Sequence, residues 1–303
     1  MLDQFVFAFG ITGPVLILLM LGWALLKINL VNANFITHAN ALVFNVAMPA
    51  MLFFSISGSS FNEAIDVPLT LIGLFGTLVL VGLLIVVGLV LPVDQRGVFV
   101  QGSYRGNLAV LGVALALATF GDDVLPLVAI YIAVVTTAYN IVAVWVLNSS
   151  GVLSKLIKNP ILIGIVAGAF ASAIELPIPT FLIATGNYLT DLTLPLALIC
   201  IGATLEFKSI KDHSLSIGLA VLFKLIISPV LLVGLGLWFG LSDERLGVLF
   251  FMSASPTATA SYIMARQMTQ HGKLAAEIVA VTSVLGVITY TAGIILLRAM
   301  GLV

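Results

Sequence analysis

The chain has 303 residues, 61% of them hydrophobic and 8% charged, with 12 Lys plus Arg against 13 Asp plus Glu. Soluble domains run near half apolar and about a quarter charged, so this composition excludes a soluble globular protein and points to a polytopic membrane chain. The balanced charge says nothing of nucleic acid, no basic cluster exists and no nucleic-acid partner is expected, and the single cysteine, Cys200, excludes an internal disulfide and reads as a small apolar filler.

Apolar windows of about 20 residues mark membrane spans. In chain order they fall at 5–27, 38–58, 67–91, 97–120, 124–147, 159–175, 181–205, 214–239, 246–266 and 276–298, which makes ten. The first run, Phe5–Leu26, is too long for a signal-peptide core and lacks a basic leader, so it reads as the first span. Connections are short. The longest, Asn148–Asn159, divides the chain into halves 1–150 and 151–303.

The halves share landmarks. Pro49 in span two matches Pro195 in span seven at an offset of 146. Asn45 and Asp191 stand four residues before these prolines, and Phe61 and Phe207 twelve after. Arg96 and Arg245 open spans four and nine, 149 apart. Five spans per half is an odd number, so a second copy must insert upside down. Inverted repeats with interrupted helices are a recurrent secondary-transporter plan.

Each half carries one interrupted span. In span four, Gln101-Gly102-Ser103-Tyr104-Arg105-Gly106-Asn107 puts an arginine and an amide about 13 Å past Arg96, where hydrocarbon should exclude them. Gly102 and Gly106 weaken the helix there. In span nine, Ser255-Pro256-Thr257 removes a backbone donor. Paired interruptions in corresponding segments point to a substrate site. Its candidates are Asn107, Arg105, Gly106, Ser255, Pro256 and Thr257, with Asn45 and Asn140 as further amides that could equally bond between helices. Asp191 and Lys224 are the candidates for coupling or charge balance, and Lys273 and Glu277 read as interface residues.

Basic residues set the orientation. Lys27, Arg96, Lys155, Lys158, Lys208, Lys211, Arg266 and Lys273 follow odd-numbered spans, eight against two (Arg245 and Arg298) on the other side. That second side holds Asp3, Glu63, Asp66, Asp122, Asp123, Glu175, Asp243 and Glu244. Both termini are expected outside, in the periplasm of an inner-membrane protein.

At these residues the chain resembles the auxin efflux carrier family, the plant auxin carriers with bacterial relatives that move malonate, malate and similar acids. The likeness rests on Asn45-x-x-x-Pro49 followed by Met51-Leu52-Phe53-Phe54, on Tyr104-Arg105-Gly106-Asn107 before Gly112, and on Pro256-Thr257-Ala258. The long central hydrophilic loop of the plant long-loop carriers is lacking, so the chain looks like a bacterial member. The resemblance implies an all-α fold like those of bile-acid symporters and sodium/proton antiporters, with spans four and nine crossing at their breaks. Spans one, two, six and seven would form a scaffold, and three to five and eight to ten a moving transport domain. It implies a small carboxylate substrate, a lipid bilayer around the chain, and a homodimer through the scaffold. No cofactor is expected; coupling to H+, to Na+ or to neither stays open. The alternative is an ion-coupled carrier of the same fold for another solute, such as a bile-acid-like anion.

Other classes fit less well. A channel would line a continuous pore with polar rings. An enzyme would need a nucleophile with its base, or a metal cluster, yet no HExxH or GxSxG occurs, and His38, His213 and His271 fall at span ends. The orientation has a direct check. A cysteine placed at Ser154 should be shielded from impermeant thiol reagents in right-side-out membranes, and one at Asn62 should label; the reverse pattern would overturn it.

Overall fold

Where no water reaches the backbone, every N–H and C=O must bond within its own segment, and long apolar runs fold as helices. The computed structural model describes residues 2–58, 66–147, 160–203 and 213–302, and these are helical almost throughout. The helices are α1 (Leu2–Lys27), α2 (Ala33–Ser57), α3 (Val67–Gly88), α4 (Val93–Tyr104), α5 (Leu108–Phe120) and α6 (Leu125–Val146) in the first half. In the second half they are α7 (Pro160–Ala173), α8 (Thr180–Ala203), α9 (Ser214–Trp238), α10 (Asp243–Ala254), α11 (Thr259–Met268) and α12 (Gly272–Ala299).

Among the described residues, six helices are long and apolar enough to cross a membrane: α2, α3, α6 with the turn before it, α8, α9 and α12. Shorter apolar helices are Gly13–Lys27 within α1, α5 and α7. Phe61, Glu63, Lys155, Lys158, Phe207, Lys208, Lys211 and the boundary between the halves lie outside the described residues.

Local chemistry sets the helix ends. α2 begins earlier than its apolar window because Asn32 caps it, its Oδ1 accepting from Phe35 N–H at 2.9 Å. Asp66 caps α3 in the same way through Leu69 N–H at 2.9 Å. α4 starts behind Pro92, and Arg96 reaches back to the carbonyls of Leu91 (3.0 Å) and Leu89 (2.9 Å). Three π turns interrupt the ladders: Val43–Ala47 in α2, Leu108–Gly112 at the head of α5, and Phe223–Ile227 in α9. Such turns often mark functional positions.

Helices α1, α2, α7 and α8 pack closely on one another, α7 along α2 and α1 along α8. Glycines make this possible. A Cβ on Gly168 would run into the backbone of Phe53 on α2, and one on Gly22 into the backbone of Ile199 on α8. Small residues at a membrane helix interface let two backbones approach, and dispersion holds them there. The remaining helices form a second cluster. In it α3 packs on α4, α6 and α9, α10 on α9, and α12 on α11, α9 and α4.

Gly168→Leu and Gly22→Leu should therefore each cost about 1–3 kcal/mol of stability or more, since backbone rather than a side chain must move. Gly82→Ala is the control, because nothing lies within 4 Å of a Cβ there. Thermal unfolding in detergent should drop for the first two and stay put for the third.

Candidate functional site

Gly106 and Pro256 end α4 and α10 in mid-chain, and the exposed backbone groups of the two breaks satisfy one another. Asn107 N–H donates to Pro256 O at 2.7 Å, and Ala258 N–H donates to Arg105 O at 2.9 Å. The two segments lie antiparallel, with Gly106 opposite Thr257. Residues 101–108 and 251–258 are buried throughout. An unpaired backbone group at this depth costs several kcal/mol, so each break needs the other.

Side chains fasten the pair. Thr257 Oγ1 donates to Gly102 O at 2.6 Å, tying α10–α11 to α4. Thr257 N–H donates to Thr282 Oγ1 of α12 at 3.2 Å, while that hydroxyl donates to Ile278 O at 2.7 Å. Ser255 Oγ donates to Met252 O at 2.8 Å, one turn back in α10. Gly106 admits no other residue: an added Cβ would lie 2.5 Å from Ser255 Oγ and 3.1 Å from Lys224 Nζ.

That last contact brings a second cation to the break. Lys224 is fully buried in the π turn of α9, and its Nζ donates to Ser253 O at 2.8 Å. Ser228 Oγ donates to the same carbonyl at 3.3 Å. Arg105 is 6% exposed; its Nη2 donates to Asn140 Oδ1 at 2.8 Å and its Nη1 to Tyr139 O at 3.4 Å. Tyr104 also donates to Tyr139 O, at 2.9 Å, and its ring meets that of Tyr139 edge-on. The hydrogen-bond partners of both side chains are neutral oxygens, and neither forms an ion pair among the described residues. Two basic side chains thus share a site from which water is largely excluded.

The head of α5 faces the same place. Asn107 is its N-cap, with no side-chain bond to the helix, and the N–H groups of Leu111 and Gly112 both return to Asn107 O. The first-turn donors of Leu108, Ala109 and Val110 precede any partner in their own helix. A helix start with free donors and partial positive charge suits an anion. At the other break the backbone donors are used, Ser255 N–H by Phe251 O at 3.1 Å and Thr257 N–H by Thr282.

The structure therefore brings together Arg105, Gly106, Asn107, Asn140, Lys224, Ser255, Pro256 and Thr257. Asn45 and Asp191 stand apart from this network. Asn45 is exposed on α2 and returns its amide to Ala41 O at 2.7 Å. Asp191 is exposed on α8, next to Thr190. Thr282 escaped the sequence reading, because a helical threonine carries no motif, and Gly102 was read as a weak point of the helix and not as an acceptor. Glu277, assigned to the interface from sequence, is 5% exposed instead.

A vestibule of about 1010 Å³ opens beside the end of α2 and the starts of α3, α6, α8 and α10. Asp66, Asp122, Asp123, Asp243 and Glu244 line it, with Arg245 bound to Asp66 at 2.6 Å. Asn187 and Thr190 of α8 also reach it, and none of the break residues does.

A helical membrane protein with two interrupted helices mended across a buried polar site is built as a transporter rather than an enzyme. The family model described as membrane transport protein matches residues 11–151 and 144–294. The chain belongs to this family, the auxin efflux carrier family, whose members are membrane transporters. No curated protein matches the chain.

Removing the acceptor that holds Arg105 should be costly. Asn140→Leu leaves a buried guanidinium N–H unpaired and should lower stability by about 1–3 kcal/mol. Asn140→Asp keeps an acceptor at that place. Thermal unfolding of the two variants should separate them, the leucine variant melting lower.

Proposed function

We propose that this protein is a secondary transporter of a small organic anion, a carboxylate such as malonate, malate or an auxin-like acid, bound where the two breaks meet. The observation that carries this reading is the pair of buried basic side chains with no acid among their hydrogen-bond partners. Arg105 and Lys224 are held only by neutral oxygens, beside a helix start with free donors. Desolvating each charge costs several kcal/mol, and an incoming carboxylate offsets that cost for both. Asn107, at the head of α5, supplies an amide donor.

The packing supports an elevator. Helices α1, α2, α7 and α8 form the close-packed group, suited to a fixed scaffold, and α3–α6 with α9–α12 form the group that contains the site. A two-fold inverted repeat of five spans each accounts for the pairing within the scaffold. Gly22 against Ile199 and Gly168 against Phe53 are the same contact, each residue 146 positions from its counterpart. The half-helices α4 and α10 are both 12 residues long, as expected of counterparts. Ten spans then place both termini and the acidic vestibule outside an inner membrane. Movement of the site-bearing group past the scaffold would carry the bridged breaks from one face to the other.

Asn107→Ala keeps the helix and removes one amide, and should weaken carboxylate binding by about 1–3 kcal/mol, roughly ten- to a hundred-fold. Pro256→Ala lets α10 run into α11 and should lower turnover together with affinity. Calorimetry on monodisperse protein with a panel of carboxylates, paired with proteoliposome uptake, measures both. Wild-type affinity of Asn107→Ala for every transported acid would remove the bridge as the binding site.

A further inference from the structure

Below the two breaks, on the side away from the vestibule, lies a buried acid that the site does not use. Glu277 sits in the second turn of α12. Its Oε2 faces His213 Nδ1 at 3.2 Å, and its Oε1 is buried with no partner. Across the α4–α12 contact, Gln101 is fully buried, its Oε1 likewise has no partner, and its Nε2 reaches only the sulfur of Met264 at 3.5 Å. The two residues flank one contact: a Cβ on Gly102, next to Gln101, would meet Ile278, next to Glu277, at 3.0 Å. Buried acceptors without a donor are rare and call for a missing partner. Each of the two helices at this contact thus carries an acceptor oxygen that lacks a hydrogen.

We propose that Glu277 is a proton-binding site and that His213 passes the proton between it and the aqueous face. His213 is suited to this, being 17% exposed and bonded to the carboxylate. With Glu277 ionised, its oxygens only accept, so His213 Nδ1 donates to Oε2. A proton taken from water at His213 Nε2 lets Nδ1 hand its own proton to Oε2, which makes the acid neutral, and a half-turn of the carboxyl group then exchanges its two oxygens and supplies the absent donor. The imidazole is left neutral with its proton on Nε2, and exchange with water restores Nδ1–H. Atoms and charge balance as one H+ gained by the carboxyl.

Among the described residues, most charged groups on the surrounding helices are engaged elsewhere. On α4, Asp94 holds His271 at 2.9 Å and Arg96 holds loop carbonyls. Arg266 of α11 lies on Tyr262, and Lys27 of α1 lies over Trp23. α10 carries its charges at the vestibule end, Lys224 of α9 holds Ser253 O, and Lys273 lies one turn before Glu277. His213 is the group bonded to the acid.

The position matters for the breaks. Thr282, which accepts from Thr257 N–H, follows Glu277 by five residues on α12, about 7.5 Å along the helix. Gly102, whose carbonyl accepts from Thr257, packs on Ile278. Charging or neutralising Glu277 therefore acts directly beneath the tie that holds the two breaks together, which makes this the coupling proton. Its role in coupling rests on the transport reading; the proton site rests on the geometry alone.

Full-length protein in proteoliposomes tests both separately. Labelled malonate and malate counterflow at equal pH needs no net proton movement, and Glu277→Gln, which mimics the protonated acid, should retain it. Accumulation driven by a pH gradient, about tenfold per pH unit for one coupled proton, should vanish in that variant. His213→Asn should slow the gradient-driven rate. Infrared difference spectra between acid and alkaline buffer should contain a carboxyl band that Glu277→Gln lacks. Gradient-driven accumulation unchanged in Glu277→Gln overturns the proposal. So does accumulation by the wild type that follows a sodium gradient and needs Glu277. Should the wild type show no counterflow, the transport reading fails and the spectra decide the proton site alone. A band lost in Glu277→Gln upholds it, and identical spectra overturn it.

Discussion

A helix cannot stop inside a membrane unless something else takes its hydrogen bonds. α4 and α10 both stop there, and each offers the other what it lacks. Pro256 O accepts from Asn107 N–H, and Arg105 O accepts from Ala258 N–H. Most other features of the site follow from this exchange. Gly106 must be glycine because Ser255 and Lys224 press against it. Thr257 must be a small donor because it stands between Gly102 O and Thr282. The breaks then leave the first turn of α5 with donors aimed at whatever enters.

Charge gives the site its chemistry. Two buried cations with neutral partners are costly in an apolar setting, and a structure retains them where an anion completes the balance. The acid of the same helix cluster, Glu277, is kept away from them, one layer down and paired with His213. On the proposed reading, separating the basic groups that would bind the anion from the acid that would bind the proton would let both ligands be held at once. It also explains why the vestibule can be acidic: its carboxylates lie at the mouth, and none of its lining residues belongs to the breaks.

Much of this was legible in sequence, for a physical reason. Charge and helix breakers are expensive in hydrocarbon, so Arg105, Gly106, Pro256 and Lys224 stand out against their neighbours and prove to share one site. Asn140 was a candidate amide, and it holds the guanidinium. Asn45 resembled it on paper, yet it bonds to its own helix, and only the rotation of α2 decides that. Asp191 occupies the counterpart of Asn45 and is exposed too. Glu277 was misplaced because its window edge looks like an interface, whereas the packing of α4 and α9 around α12 buries it. The roles of Thr282 and of the Gly102 carbonyl carry no sequence signal, since they arise from contacts 25 and 155 residues away.

The central claim is that a carboxylate occupies the space between the bridged breaks. Chemical protection tests it most directly. With Cys200 replaced by serine, a cysteine at Ala109, half-buried in the first turn of α5, should react with a small membrane-permeant thiol reagent. Saturating malonate or malate should slow that reaction about tenfold or more, as expected when a bound ligand covers the position for most of the time. The uncharged diamide of the same skeleton should leave it unchanged. Equal rates with the acid, the diamide and no ligand, in protein that demonstrably transports the acid, would contradict the account.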